Sequence, residues 1–231
     1  VILAANFKMN HTRLSTKEYL RRLDAFLEEK KPKSDIYLFP PVSALDSFET
    51  KVNIGVQNAY PAQKGSFTGE IGLEQLEEFD IKNIIIGHSE RRHILGENQE
   101  FITQKFKFFK DKGFKIFYCI GETLEVREGG KELIKKYLGL QLEGIDLSYK
   151  NLVIAYEPVW AIGTGKSATS EDIEEILEFL SKKSDAPLLY GGSVKPSNIK
   201  EIVSVSNCSG ALIGTASWDV NSFCEMIELT N

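Results

Sequence analysis

The sequence is short of cysteine, of basic charge and of long apolar runs, and each shortage excludes a class of protein. Its cysteines are Cys119, Cys208 and Cys224, an odd number with no Cys-x-x-Cys pair. Such a set gives no disulfide or zinc framework and suits a reducing compartment, so a cytoplasmic location is expected. The thiols are expected to pack as small apolar groups. Lys and Arg total 28 against 33 Asp and Glu, a net charge of -5. A general nucleic-acid surface needs a basic face, so no nucleic-acid partner is expected. No apolar stretch approaches the roughly 18 residues that cross a bilayer, so no membrane partner is expected either. The start, Val1 to Asn6, lacks the basic region and long apolar stretch of a secretory signal. Histidine is scarce as well. His11, His88 and His93 form no His-Glu-x-x-His motif, and the spacing of His88 and His93 does not set both rings cleanly on one helical face. No metal site and no cofactor are expected.

Nucleotide-binding motifs are missing too. Gly163-Thr164-Gly165-Lys166-Ser167 ends like a P-loop, but Trp160 stands where that pattern needs glycine. The same stretch echoes a dinucleotide fingerprint through Gly163, Gly165 and Ala168, yet no strand immediately precedes it.

What the sequence has is a rhythm. Its 231 residues are 42% hydrophobic, enough for a sizeable core. Short apolar runs occur at Ile2–Asn6, Ile36–Phe39, Ile54–Gln57, Asn83–Gly87, Lys115–Ile120, Leu152–Tyr156, Leu188–Tyr190 and Ala211–Ile213. They read as parallel strands buried on both faces. Amphipathic stretches lie between them. One carries Leu20, Leu23, Ala25, Phe26 and Leu27, and another Ile102, Phe106 and Phe109. A third carries Leu133, Ile134, Tyr137, Leu138 and Leu142, and a fourth Ile173, Ile176, Leu177 and Leu180. Thr169 or Ser170 is placed to cap the fourth, and Pro196 suits the first turn of the helix after it. The gap between the second and third strands is the shortest, so its helix must be brief. No Pro/Gly/Ser linker divides the chain, so residues 1–231 are expected to form a single domain. Eight strands alternating with helices predict a closed eight-stranded parallel (β/α)8 barrel; an open doubly wound sheet is the structural alternative.

In such a barrel the loops after the strands form the reactive face. The strand ends carry Asn6 and Lys8, then Gly87, His88 and Glu90, then Glu157, then Gly191, Gly192 and Ser193, then Gly214 and Thr215. Each has a bland reading: a solvated lysine, a satisfied histidine, a surface carboxylate, simple glycine turns. Together, a base, a polarising donor and a cation on one rim fit proton abstraction beside a carbonyl. A different phosphate-binding barrel enzyme is a competing reading. An aldolase needs a Schiff-base lysine, but Lys115 begins its strand rather than ending it. A non-enzymatic binding protein would be favoured by loss of Glu157 or His88, and both are present.

The same residues resemble the triosephosphate isomerase family over nearly the whole chain. The matching stretches are Ala5-Asn6-Phe7-Lys8-Met9-Asn10, Gln57-Asn58, Phe67-Thr68-Gly69-Glu70, residues 87–92, Cys119-Ile120-Gly121-Glu122, residues 155–166 and Tyr190-Gly191-Gly192-Ser193-Val194. The resemblance implies a TIM barrel that interconverts dihydroxyacetone phosphate and D-glyceraldehyde 3-phosphate through an enediolate. It implies that Glu157 is the general base and His88 the electrophile beside the substrate carbonyl. It places Asn6 and Lys8 in the triose phosphate pocket, with Glu90 holding Lys8, and puts Gly163, Ser193, Gly214 and Thr215 at phosphate-contacting positions. Residues 158–166 read as a lid. A homodimer through the loop Tyr60–Glu70, Thr68 included, is also implied. Thr215 departs from the family's usual second glycine, Phe7 replaces a common tryptophan, and the chain is short for the family.

Overall fold

A computed structural model of the chain describes residues 1–162 and 168–231. Among the described residues the apolar runs form eight strands: β1 (Ile2–Asn6), β2 (Asp35–Phe39), β3 (Asn53–Ile54), β4 (Asn83–Ile86), β5 (Lys115–Ile120), β6 (Leu152–Tyr156), β7 (Leu188–Tyr190) and β8 (Cys208–Ile213). All pairings are parallel, in the order β3-β2-β1-β8-β7-β6-β5-β4. The sheet closes through a single bridge between Val56 and Ile84. There Val56 N–H donates to Asn83 O at 2.9 Å and Ile85 N–H to Val56 O at 3.0 Å. Side-chain amides supplement this thin seam. Asn83 Nδ2 donates to Ile54 O at 2.9 Å across it, and Asn53 Nδ2 donates to Ile36 O at 3.0 Å across the neighbouring β2–β3 pair.

Strand alternation divides the core into two layers. Ile2, Ala4, Tyr37, Phe39, Phe117, Val153, Leu189 and Leu212 fill the barrel interior. Leu3, Ala5, Ile36, Leu38, Ile116 and Ile154 face outward against the helices. The helices are α1 (Arg13–Lys30), α2 (Leu73–Glu78), α3 (Ser89–His93), α4 (Gln99–Asp111), α5 (Leu124–Glu128), α6 (Lys131–Gln141), α7 (Ser170–Ser181), α8 (Ile199–Ser204) and α9 (Val220–Leu229). Thr169 caps α7 as its sequence predicts: its side chain accepts from Asp172 N–H, and the Asp172 side chain accepts in return from Thr169 N–H. Ile173, Ile176, Leu177 and Leu180 then face the barrel.

Three expectations change. The link between β2 and β3 holds only a 3-10 turn at Val42–Ala44, not an α-helix. β3 ends at Ile54, and Val56 continues only as the closing bridge. Pro196 does not open α8: Lys195 O accepts the N–H groups of Asn198 and Ile199, so a turn precedes the helix. All three cysteines are free; Cys119 is buried, while Cys208 and Cys224 are half-buried. Among the described residues, no helix is long and apolar enough to cross a membrane, and no group of three or more His, Cys, Asp and Glu is placed to hold a metal ion.

Candidate active site

The end of β1 makes a tight turn that aims Lys8 across the barrel mouth. Lys8 holds a φ of 51°, a left-handed backbone that costs an L residue about 1–3 kcal/mol. Local hydrogen bonds offset the cost. Lys8 N–H donates to Asn6 Oδ1 at 2.9 Å. Gln57 Nε2 donates to Lys8 O and to Phe39 O, both at 2.9 Å. The Lys8 ammonium meets Glu90 Oε1 at 2.6 Å.

After β4 the chain turns at Gly87, whose φ is 78°. A Cβ there would lie 2.7 Å from an Arg92 nitrogen and 3.0 Å from Cys119 O. This turn makes His88 the N-cap of α3: its Nδ1 accepts from Glu90 N–H at 3.3 Å. A nitrogen that accepts carries no proton, so the ring proton sits on Nε2. Nε2 lies 3.1 Å from Glu157 Oε1.

Glu157 follows β6 and is 2% exposed. Its Oε2 accepts from Ser89 N–H at 3.1 Å, and its own N–H donates to Ile120 O at 2.7 Å. Burial pushes the Glu157 pKa up. His88, the Ser89 N–H and Lys8 push it down and prevail, so the carboxylate stays charged below the ordinary range. Burial pushes the His88 pKa down, but Glu157 and Glu90 raise it further and the net shift is upward. The Glu90 N–H at Nδ1 opposes a second ring proton, and the upward push depends on Glu157 resting against the ring. The hydrogen-bond geometry therefore assigns a neutral imidazole at rest.

A cavity of about 350 Å³ opens beside these groups, lined by Asn6, Lys8, His88, Glu157, Gly191, Ser193, Gly214 and Thr215 among others. Seven of the eight site residues named from sequence, with Glu90 bound to one of them, thus lie at one mouth. Gly163 falls outside the described residues. Thr215 opens the 3-10 turn Thr215–Ser217 and is not among the residues with positive φ. Its side chain is therefore tolerated where a glycine was the expected residue. Ser193 Oγ donates to Ala161 O at 2.6 Å. Its hydroxyl proton is therefore committed, and a ligand would meet its backbone N–H instead. A larger groove of about 840 Å³ runs between α6 and α7, but Lys131 there pairs with Glu175 and Lys182 with Glu178. Arg127 likewise pairs with Asp172, so six of its charged side chains are spent on one another.

Sequence reasoning assigned no role to Ser89, Gln57, Gly121 or Glu122. Glu122 is fully buried; its Oε1 accepts from Tyr156 Oη at 3.0 Å and Trp160 Nε1 at 2.9 Å. Its carbonyl accepts from Val159 N–H at 3.0 Å, so it anchors the segment leaving Glu157. The signal for it was available, an acid just beyond an apolar strand.

Comparison with known proteins gives the family. The family model described as triosephosphate isomerase matches residues 1–230. A protein of a Nitratiruptor species, named triosephosphate isomerase, is 62% identical over 229 residues, 99% of this chain and 98% of the relative. Proteins of the same name from a Sulfurovum species and from Wolinella succinogenes are 57% and 58% identical. They cover 98% and 99% of this chain and 99% of each relative.

Proposed function

From the premise that this chain belongs to the triosephosphate isomerase family, we propose which residues carry out the isomerisation and how. The reaction interconverts dihydroxyacetone phosphate and D-glyceraldehyde 3-phosphate, a step of glycolysis and gluconeogenesis. Glu157 takes a carbon-bound proton beside the substrate carbonyl and returns it to the neighbouring carbon. Such a carbon acid is very weak, so the charge that develops on oxygen in the enediolate must be stabilised. His88 donates its Nε2 proton there, and Lys8 supplies a fixed positive charge steadied by Glu90. Asn6 shapes the Lys8 turn and faces the same cavity.

At rest both Glu157 oxygens are occupied, by Ser89 N–H and by His88 Nε2. Substrate must displace the carboxylate from these donors. Losing two donors in a site closed to water strengthens the base. The phosphate is held by backbone N–H groups of Ser193, Gly214 and Thr215, which form an anion nest without an arginine. This reconciles an acidic chain with a dianionic ligand.

The 3.1 Å contact between Glu157 and a singly protonated His88, inside a cavity shared with Lys8, carries the reading. Glu157→Gln keeps the shape and removes the base. In an assay coupled to glyceraldehyde 3-phosphate, kcat should fall about 10²- to 10⁴-fold. Near-normal turnover would refute the assignment.

The enzyme works as one barrel domain and as a homodimer. Residues 63–70 are exposed, and Tyr60 stacks on Phe67 at 3.9 Å to stiffen this loop. Met9, Ile94 and Leu95 are 94%, 76% and 63% exposed. A second copy covering these apolar groups and receiving the 60–70 loop removes them from water. Three free thiols fit the reducing cytoplasm.

A further inference from the structure

The turn after β8 is tied to the segment after β1 by three side chains. Trp218 Nε1 donates to Asn6 O at 3.3 Å. Tyr19, on α1, donates its hydroxyl to Ser217 O at 2.7 Å. His11 Nε2 lies 2.9 Å from Trp218 O, and its Nδ1 lies 3.2 Å from Ser15 Oγ. A carbonyl only accepts, so a His11 proton sits on Nε2, and Nδ1 faces the Ser15 hydroxyl, which also reaches Thr12 O at 3.3 Å. Ser15 belongs to the capping box that starts α1. The imidazole therefore spans from the first turn of α1 to the turn after β8.

Nothing in this span is loose. The His11 ring stacks on Phe7 with centroids 4.2 Å apart and meets Tyr19 edge-on at 5.7 Å. Its backbone sits at a φ of 70°, where glycine or asparagine is the easier residue. The far end of the span connects to the cavity in one step. Trp218 N–H donates to Thr215 O at 3.1 Å, and Ser217 N–H to Gly214 O at 2.8 Å. Both acceptors belong to residues that line the cavity, and a Cβ on Gly214 would lie 3.2 Å from Lys8 Cε.

The geometry points to His11 as a positioning residue for the phosphate turn. By holding the Trp218 carbonyl, it fixes the height of the Gly214 and Thr215 backbone relative to Lys8. This rests on the reading of Ser193, Gly214 and Thr215 as the phosphate cradle. His11 touches no substrate; it acts through Trp218 and the short 3-10 turn.

Two variants of the full chain separate positioning from simple stapling. In His11→Gln, the side-chain amide reaches the place of the imidazole Nε2 and can still donate to Trp218 O. In His11→Asn, the amide reaches only the place of Nδ1 and can meet Ser15, while asparagine suits the left-handed backbone better than glutamine does. Stability and binding should therefore rank the variants in opposite orders. The thermal midpoint of His11→Asn should be at least that of His11→Gln. The competitive inhibition constant for inorganic phosphate should rise about three-fold or more in His11→Asn and return to within about two-fold of the unmodified enzyme in His11→Gln. KM for glyceraldehyde 3-phosphate should follow the phosphate constant, and kcat should fall less than KM rises. An unchanged phosphate constant in His11→Asn overturns the role of His11, as does a binding order that follows the thermal midpoints. If phosphate does not compete even with the unmodified enzyme, the cradle reading falls and this inference falls with it.

Discussion

A methyl group added at Gly121 tests whether the position of Glu157 is set by the close approach of two strand ends. β5 ends at Ile120 and β6 at Tyr156, and Glu157 N–H donates to Ile120 O at 2.7 Å. An ideal Cβ on Gly121 would lie 1.7 Å from Glu157 O and 2.5 Å from Glu157 C. Real Cβ atoms essentially never come closer than 3.0 Å, so the two segments must part by 3.0 − 1.7, about 1.3 Å. Neither side gives way easily. Buried Gln141 grips Gly121 from both directions: Gly121 N–H donates to its Oε1 at 2.8 Å, and its Nε2 donates to Gly121 O at 3.0 Å. The Glu157 side chain is held in turn by Ser89 and His88.

A misplacement near 1 Å can lower a rate about 10²-fold, so Gly121→Ala should cut kcat by about that factor, roughly 2.7 kcal/mol of barrier. Overpacking should also cost about 1–3 kcal/mol of stability. The assay is the coupled turnover of glyceraldehyde 3-phosphate, read beside circular dichroism and urea unfolding. Gly139→Ala is the control. It lies within α6, where an added Cβ meets nothing within 4 Å. It should leave turnover alone and stabilise the helix by about 0.5–1 kcal/mol. A folded Gly121→Ala enzyme with kcat within about three-fold of the parent would contradict the rate argument drawn from the 1 Å rule.

Two further outcomes follow from buried charge and from the exposed loop. Glu97 Oε1 accepts from Arg91 Nε at 2.7 Å and from Lys105 Nζ at 2.5 Å, with Lys105 almost fully buried. Burial raises the Glu97 pKa, but Arg91 and Lys105 lower it more, so its folded value lies below the unfolded one. Its stabilisation is therefore complete above the unfolded value and is lost as pH falls through the folded value. Glu97→Gln should cost about 2–3 kcal/mol near neutrality, less than a fully dry pair, because the Arg91 side chain is 26% exposed. Urea midpoints of variant and parent should converge as pH drops below the carboxylate range; a constant gap would reject the ion-pair account. Thr68 is exposed, so Thr68→Arg should not disturb the folded subunit. It should shift sedimentation at micromolar concentration from dimer towards monomer, and an equally tight dimer would remove the 60–70 loop from the interface.

The parts of the site that were legible in sequence are those whose chemistry resides in a side chain at a strand end. Lys8, His88 and Glu157 announced a cation, a donor and a base, and the strand rhythm put them on one rim. The third strand was placed less well: Gly55 N–H still donates to Leu38 O at 2.9 Å, but the strand ends at Ile54, and Val56 pairs only as the bridge to Ile84. A Cβ on Gly55 would lie 2.3 Å from the Phe39 ring, so glycine there makes room for the ring. Pro196 misled as well. Proline fits a first helical turn, but it fits a turn ahead of a helix equally well, and α8 starts only at Ile199. Ser89, Gly121 and Gln141 were invisible for a different reason. Ser89 acts through its N–H, Gly121 through its lack of a side chain, and Gln141 as a clamp on another residue's backbone. Residue type alone does not reveal what each does here; the role exists only once β4, β5 and β6 are in register. The carboxylate was therefore readable as a reacting group, but its resting position was not. That position is fixed by an amide, a glycine and a glutamine whose roles arise from the closed barrel itself.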